Sequence, residues 1–277
     1  MLKLHRRRHI IINTAQLEYL IKLALFSSYV ENERPVSLLI SAKVESGKTE
    51  ILKKAIICKG VLYINDLTAY GIQHKYLDDI CNGKIRTIII PDLIVPLSRQ
   101  HDTVQTLISF LNSLIEEGVA KISTYLTSIE LKYPVRCNII TSIAKEHLTD
   151  DRRYRWAKVG FLSRVIPVTY EYGPSTIYQI MRSIALREYQ HDTGFNDLKF
   201  PSQDVKIYLP EELATQIQGL VPHIRKAEEL YGFRLQKQIQ TLCMANALMA
   251  GRDIVEDIDF AIVSKLADYI NFNYKQI

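Results

Sequence analysis

Apolar residues fall into two alternating patterns over residues 1–172 and into one pattern after that. Residues 13–29 place Leu17, Leu20, Ile21, Ala24 and Leu25 on one face, at helical spacing, with Thr14 positioned to cap. The stretch 36–57, VSLLISAKVESGKTEILKKAII, reads as a buried strand, a small-residue loop and a lysine-rich amphipathic helix. A second strand is predicted over 60–65, a helix over 74–81, and a third strand over 85–90. The third is almost wholly apolar, as expected of a parallel strand covered on both faces. Val104, Leu107, Ile108, Leu111, Leu114 and Ile115 repeat at helical spacing up to the stop at Gly118.

Two alternating pieces, KISTYL and SIELKY, predict a hairpin within 121–134, and RCNIITS at 136–142 a further strand. Residues 145–158 read as partly helical, and 160–171 carry another β-like run. Past Gly173-Pro174 the pattern is helical only, over 175–190, 211–220, 222–230, 235–250 and 256–272. The fold class expected is α/β: a parallel sheet with flanking helices over 1–172, then an α-helical domain over 173–277.

Composition narrows this picture little. At 47% hydrophobic and 23% charged residues, the 277-residue chain has the make-up of a globular protein able to bury a core. A net charge of +5 permits contact with nucleic acid without demanding it. Cys58, Cys81, Cys137 and Cys243 are scattered, which excludes a zinc-finger spacing and argues against a disulfide framework. No apolar stretch approaches a membrane span, and MLKLHRRRHIII lacks the apolar core and cleavage site of a signal peptide. A cytoplasmic protein with no membrane partner is expected. GxSxG and HExxH are absent, so a hydrolase of either kind has no support.

The chemistry is concentrated at 42–49. A phosphate-binding loop asks for Gly, four residues, then Gly-Lys-Ser/Thr; here Ala42 stands in the first glycine position, followed by Ser46, Gly47, Lys48 and Thr49. Backbone N–H groups opening a helix make an anion site. Lys48 would reach the terminal phosphates and Thr49 would hold Mg²⁺, so ATP and Mg²⁺ are the expected cofactors. In open parallel sheets the ligand lies beyond the carboxyl ends of the strands. Asp92, after the run TIIIP, is then a second Mg²⁺ ligand through water. Leu93 follows it where many such ATPases carry a glutamate that polarises the attacking water. Asp66 is the better substitute, with Glu116 or Glu117 as alternatives, and Thr141 or Ser142 could bond the γ-phosphate or the water.

Taken in order, the loop, the acidic strand end, the polar strand end, GFLSRVIPV and the helical tail resemble the AAA+ ATPases. GFLSRVIPV is similar to a segment of the minichromosome maintenance helicases, and the tail is similar to the helical lid of that clade and of MoxR-type ATPases. The resemblance implies that Arg164 is a finger reaching the γ-phosphate on a neighbouring subunit, with Arg152, Arg153 and Arg155 as rivals. It implies that Arg234 contacts nucleotide from the lid, and that the 121–134 hairpin, with Lys132 at its tip, touches DNA. The function it implies is an oligomeric ATPase that remodels a partner, nucleic acid or a nucleoprotein complex. The alternative, favoured by Leu93, is a slow or non-hydrolysing nucleotide-dependent scaffold that recruits a protein.

Overall fold

The computed structural model describes residues 8–9, 12–123, 128–149, 160–188, 190–191, 194–224 and 232–270. Arg152, Arg153 and Arg155 lie outside the described residues, as does the side chain of Lys132. In chain order the elements are β1 (Arg8–His9), α1 (Ala15–Ser27), β2 (Leu38–Ala42), α2 (Lys48–Lys53), β3 (Val61–Tyr63), α3 (Ala69–Lys75), α4 (Leu77–Cys81), β4 (Thr87–Ile90), α5 (Ile94–Leu97), α6 (His101–Asn112), β5 (Val119–Ser123), β6 (Ser128–Val135), β7 (Asn138–Ala144), α7 (Lys145–Thr149), β8 (Ile166–Thr169), α8 (Pro174–Ala185), β9 (Gln190–His191), α9 (Glu211–Ile224), α10 (Phe233–Met249) and α11 (Asp257–Leu266).

Five parallel strands in the order β3-β4-β7-β2-β8 make the central sheet. Successive strand residues point to opposite faces, and the core divides accordingly. Leu38, Ile40, Ile89, Ile140, Ile166 and Val168 join α1, α9, α10 and α11 on one face. Leu39, Ile88, Ile90 and Ile139 join α3, α4 and α6 on the other. Both faces being covered explains why β2 and β4 are buried at every position. Helices α9, α10 and α11 share the first of these cores with α1, and the Tyr19 hydroxyl donates to Asn246 Oδ1 of α10 at 2.6 Å. The predicted hairpin is the antiparallel pair β5 and β6.

Several local expectations are corrected. Thr14 precedes α1, but its hydroxyl donates to Glu18 Oε1 at 2.7 Å and leaves the helix N–H groups uncapped by its side chain. The helix predicted over 74–81 is two pieces, and the first begins at Ala69, where Thr68 Oγ1 accepts from the Gly71 N–H at 3.0 Å. Pro222 does not start a helix; it lies inside α9, which runs on to Ile224. The lysine-rich helix is short: α2 gives way to a 3₁₀ turn over Lys54–Ile57, with Ala55 buried in the core and Cys58 extended.

Candidate functional site

The loop from Ala42 to Thr49 leaves the carboxyl end of β2, a central strand. Ala42 is fully buried, so a small residue is required there. Lys48 Nζ folds back over the loop and donates to the Ala42 carbonyl at 3.0 Å, the Lys43 carbonyl at 2.7 Å and Ser46 Oγ at 3.1 Å. The loop is thus wrapped around an ammonium group, with Gly47 in the left-handed region at φ 80°. From the end of β8, the Tyr170 and Tyr172 hydroxyls both donate to the Ser46 carbonyl, at 2.7 and 2.8 Å. Lys43 pairs with Glu171 between them. No motif marks these tyrosines; only the pairing of β8 with β2 brings them to the loop. Burial pushes the Tyr172 hydroxyl up to about 12, so it stays a donor at neutral pH.

Glu45 also sits in the left-handed region, at φ 64°. That conformation costs a residue with a Cβ roughly 1–2 kcal/mol, against a flexibility cost of roughly 0.5–1 kcal/mol for glycine. Glu45→Gly is therefore expected to stabilise the chain by about 0.5–1 kcal/mol in urea unfolding. A lower midpoint would show that the Glu45 side chain itself holds the loop.

Burial pushes the Lys48 ammonium below its ordinary value, and the charges of Glu146 and Asp92 oppose the shift. Both carboxylates therefore lie within electrostatic reach of the loop. Asp92 follows β4, and its Oδ1 accepts from the Ile94 N–H at 3.1 Å, a local turn that fixes the carboxylate beside the strand end. Thr49 is half-buried in the first turn of α2. A hydroxyl and a carboxylate are hard oxygen donors that suit Mg²⁺. Among the described residues, no group of three or more His, Cys, Asp or Glu could hold a metal unaided. An ion here would take its remaining ligands from phosphate and water.

Two sequence expectations change. Thr141 does not end its strand: β7 continues to Ala144, and Thr141 is fully buried, pairing with Leu39 and Ile90 and donating its hydroxyl to the Ile90 carbonyl at 2.8 Å. Asp66 follows β3, which lies three places from β2 in the sheet, roughly 14 Å at ordinary strand spacing. Its carboxylate is ion-paired to Arg99 at an exposed position. Glu146, missed in the sequence, opens α7 directly after β7, the strand beside β2. Leu93 is fully buried in the second core, with its N–H bonded to the Ser142 carbonyl at 2.8 Å.

Arg164 and Arg234 meet elsewhere. Arg164 precedes β8, while Arg234 opens α10 after Gly232. Both reach Glu116, in a π-helical turn over Ser113–Glu117 that ends α6. Arg234 Nε donates to Glu116 Oε1 at 2.6 Å, Arg164 Nε lies 2.7 Å from Oε2, and Arg34 Nη1 donates to Oε1 at 2.8 Å. Arg234 also reaches Ser163 Oγ at 3.2 Å, and Glu117 lies 3.6 Å from Arg164. Burial alone would raise the Glu116 carboxyl; the Arg234 hydrogen bond and the three guanidinium charges outweigh it and hold the group below the usual carboxylate range. Arg34, Glu116, Arg164 and Arg234 line a pocket of about 260 Å³ with Glu33 and Lys237. Glu116 is therefore not a candidate for polarising water at the loop.

The two sites occupy opposite edges of the sheet. Arg34 and Arg164 precede the amino ends of the parallel neighbours β2 and β8, whereas Lys48 follows the carboxyl end of β2. Five residues of strand separate those ends by about 16 Å.

No family model matches the chain, and no curated protein matches it. Among solved structures it is similar to a full-length MCM homolog from Methanopyrus kandleri, with a TM-score of 0.54 and 15% identity over 95% of this chain. The match covers 56% of that chain, so the present sequence spans little more than half of its length. At this identity the likeness is one of fold, consistent with a P-loop NTPase-like parallel sheet.

Proposed function

We propose that the chain is an ATP-binding AAA+ module that works as an oligomer, coupling the state of its nucleotide to remodelling of a partner. The observation that carries this is the division of the chemistry across the sheet. Lys48, Thr49 and Asp92 belong to the carboxyl edge, and Arg164 and Arg234 to the amino edge. A single chain cannot bring both to one phosphate, but a second copy can. Mg²⁺ would be held by Thr49 and, through water, by Asp92, and would neutralise phosphate charge. Glu146, in the first turn of α7 directly after β7 and beside β2, is the carboxylate assigned to orient an attacking water. Nucleic acid or a nucleoprotein complex is the preferred partner, on the basic charge balance and the fold likeness. No helix among the described residues is long and apolar enough to cross a membrane.

The buried Leu93 favours a second reading, a nucleotide-dependent scaffold that hydrolyses slowly or not at all and recruits a protein. The test is ATP binding and steady-state turnover, with and without DNA, in wild type and Lys48→Ala. Lys48→Ala is expected to weaken ATP binding at least about tenfold, the loss of a charge-assisted contact to phosphate. Unchanged binding rejects the loop as the nucleotide site. Binding without turnover above Lys48→Ala under any condition selects the scaffold.

A further inference from the structure

Three guanidinium groups converge on the single carboxylate of Glu116. Glu117 at 3.6 Å from Arg164 adds only a longer, exposed contact, and Glu33 and Lys237 also line the pocket, so four cations face three carboxylates and the cluster keeps a net positive charge. Geometry is also incomplete. Arg164 Nε and Glu116 Oε2 are buried and close, yet neither makes a directed hydrogen bond among the described residues. A phosphate group carries up to two charges and three oxygens, and arginine forks match it well. The pocket of about 260 Å³ is open to such a group, since the side chains of Arg34 and Arg234 are each 45% exposed. Glu116 sits in a π-helical turn, a backbone form frequent at functional sites; unwinding that turn would move the carboxylate out.

We propose that Arg34, Arg164 and Arg234 form one receptor for a terminal phosphate group, and that Glu116 occupies it as an internal anion until the phosphate displaces it. Arg34 thereby becomes a binding residue alongside Arg164 and Arg234. The receptor follows from the pocket alone; only the idea that the phosphate arrives on a second copy's nucleotide rests on the shared-site reading above.

The test uses the full chain carrying Lys48→Ala, so that the loop on the other edge contributes least, and titrates inorganic tripolyphosphate by calorimetry. Binding is expected to persist, to tighten about tenfold with Glu116→Gln and to weaken about tenfold with Arg34→Ala. Unchanged or weaker binding with a natively folded Glu116→Gln overturns the displacement, and an Arg34→Ala chain that binds as before overturns the receptor. Arg34→Ala alters a half-exposed side chain, so this arm still decides if Glu116→Gln fails to fold. Failure of the loop reading shows separately, as wild-type ATP binding that Lys48→Ala leaves intact. Sedimentation then identifies the source of the phosphate. Association of wild type with Glu116→Gln chains only in ATP assigns it to a second copy, whereas tripolyphosphate binding without association assigns it to a free anion.

Discussion

Arg164→Ala is expected to cut ATP turnover by roughly a thousandfold, about 4 kcal/mol of transition-state stabilisation, while the same chain still binds nucleotide. The asymmetry follows from position. Arg164 precedes the amino end of β8, on the far edge of the sheet from Lys48, so its own loop does not depend on it. On the proposed shared site it would act on charge developing at a phosphate held by another copy, where a fixed guanidinium fork is most effective. Mixing Arg164→Ala with Lys48→Ala chains should restore part of the activity. The second supplies an intact arginine and the first an intact loop. No recovery at any ratio would remove Arg164 from the reaction. Arg164→Lys is the control for packing: it keeps a charge beside Glu116 but loses the fork, and turnover should stay low.

Asp259→Ala is expected to lower the unfolding free energy by about 3–5 kcal/mol, the usual loss when one partner of a buried ion pair is removed. Asp259 is fully buried. It takes a two-pronged contact from Arg252 at 2.6 and 2.7 Å, the Asn246 amide at 2.5 Å, and the Glu256 N–H at 2.8 Å, which closes the capping box of α11. Asn246 in turn accepts from Tyr19, so one carboxylate ties α1, α10 and α11 together. Urea unfolding measures the loss; a change below about 1 kcal/mol would show that the network is replaceable by packing.

The pH dependence has a definite sign. Burial alone would raise the Asp259 carboxyl, but the Arg252 hydrogen bond, the Glu256 N–H, the Asn246 amide and the Arg252 charge outweigh it and hold the group below its ordinary value. A depressed carboxylate contributes its stability fully above the unfolded value, and that contribution is lost as pH falls through the folded value. Wild type should therefore lose stability below about pH 4 more steeply than Asp259→Asn, which has no proton to take up. Parallel acid profiles would assign the acid sensitivity to other carboxylates, Glu116 among them.

What the chain announces by pattern is its local order. The apolar run into Ser46-Gly47-Lys48-Thr49 is legible because strand, loop and helix are contiguous, and Asp92 is legible because a carboxylate after TIII marks a strand end. The Gly251-Arg252 turn and the acidic start of α11 can be read the same way. The Glu116 cluster cannot. Its arginines lie 82, 48 and 118 residues from it, and only packing brings them together. Glu146 escapes notice because β7 runs on through Ile143 and Ala144, past the point where polar Thr141 and Ser142 suggest an end. Thr141 and Ser142 satisfy their hydroxyls on the carbonyls of Ile90 and Pro91, which is how a sheet interior tolerates them.

The proposed split of a phosphate site between the two edges of one sheet would also fix a counting rule for assemblies. An open row of n copies would contain n − 1 complete sites, because one terminal loop and one terminal arginine cluster would face solvent. A closed ring of n copies would contain n. Turnover per chain would then climb with row length and level off at closure, so a plot of specific activity against mass would distinguish rings from filaments without an image of either.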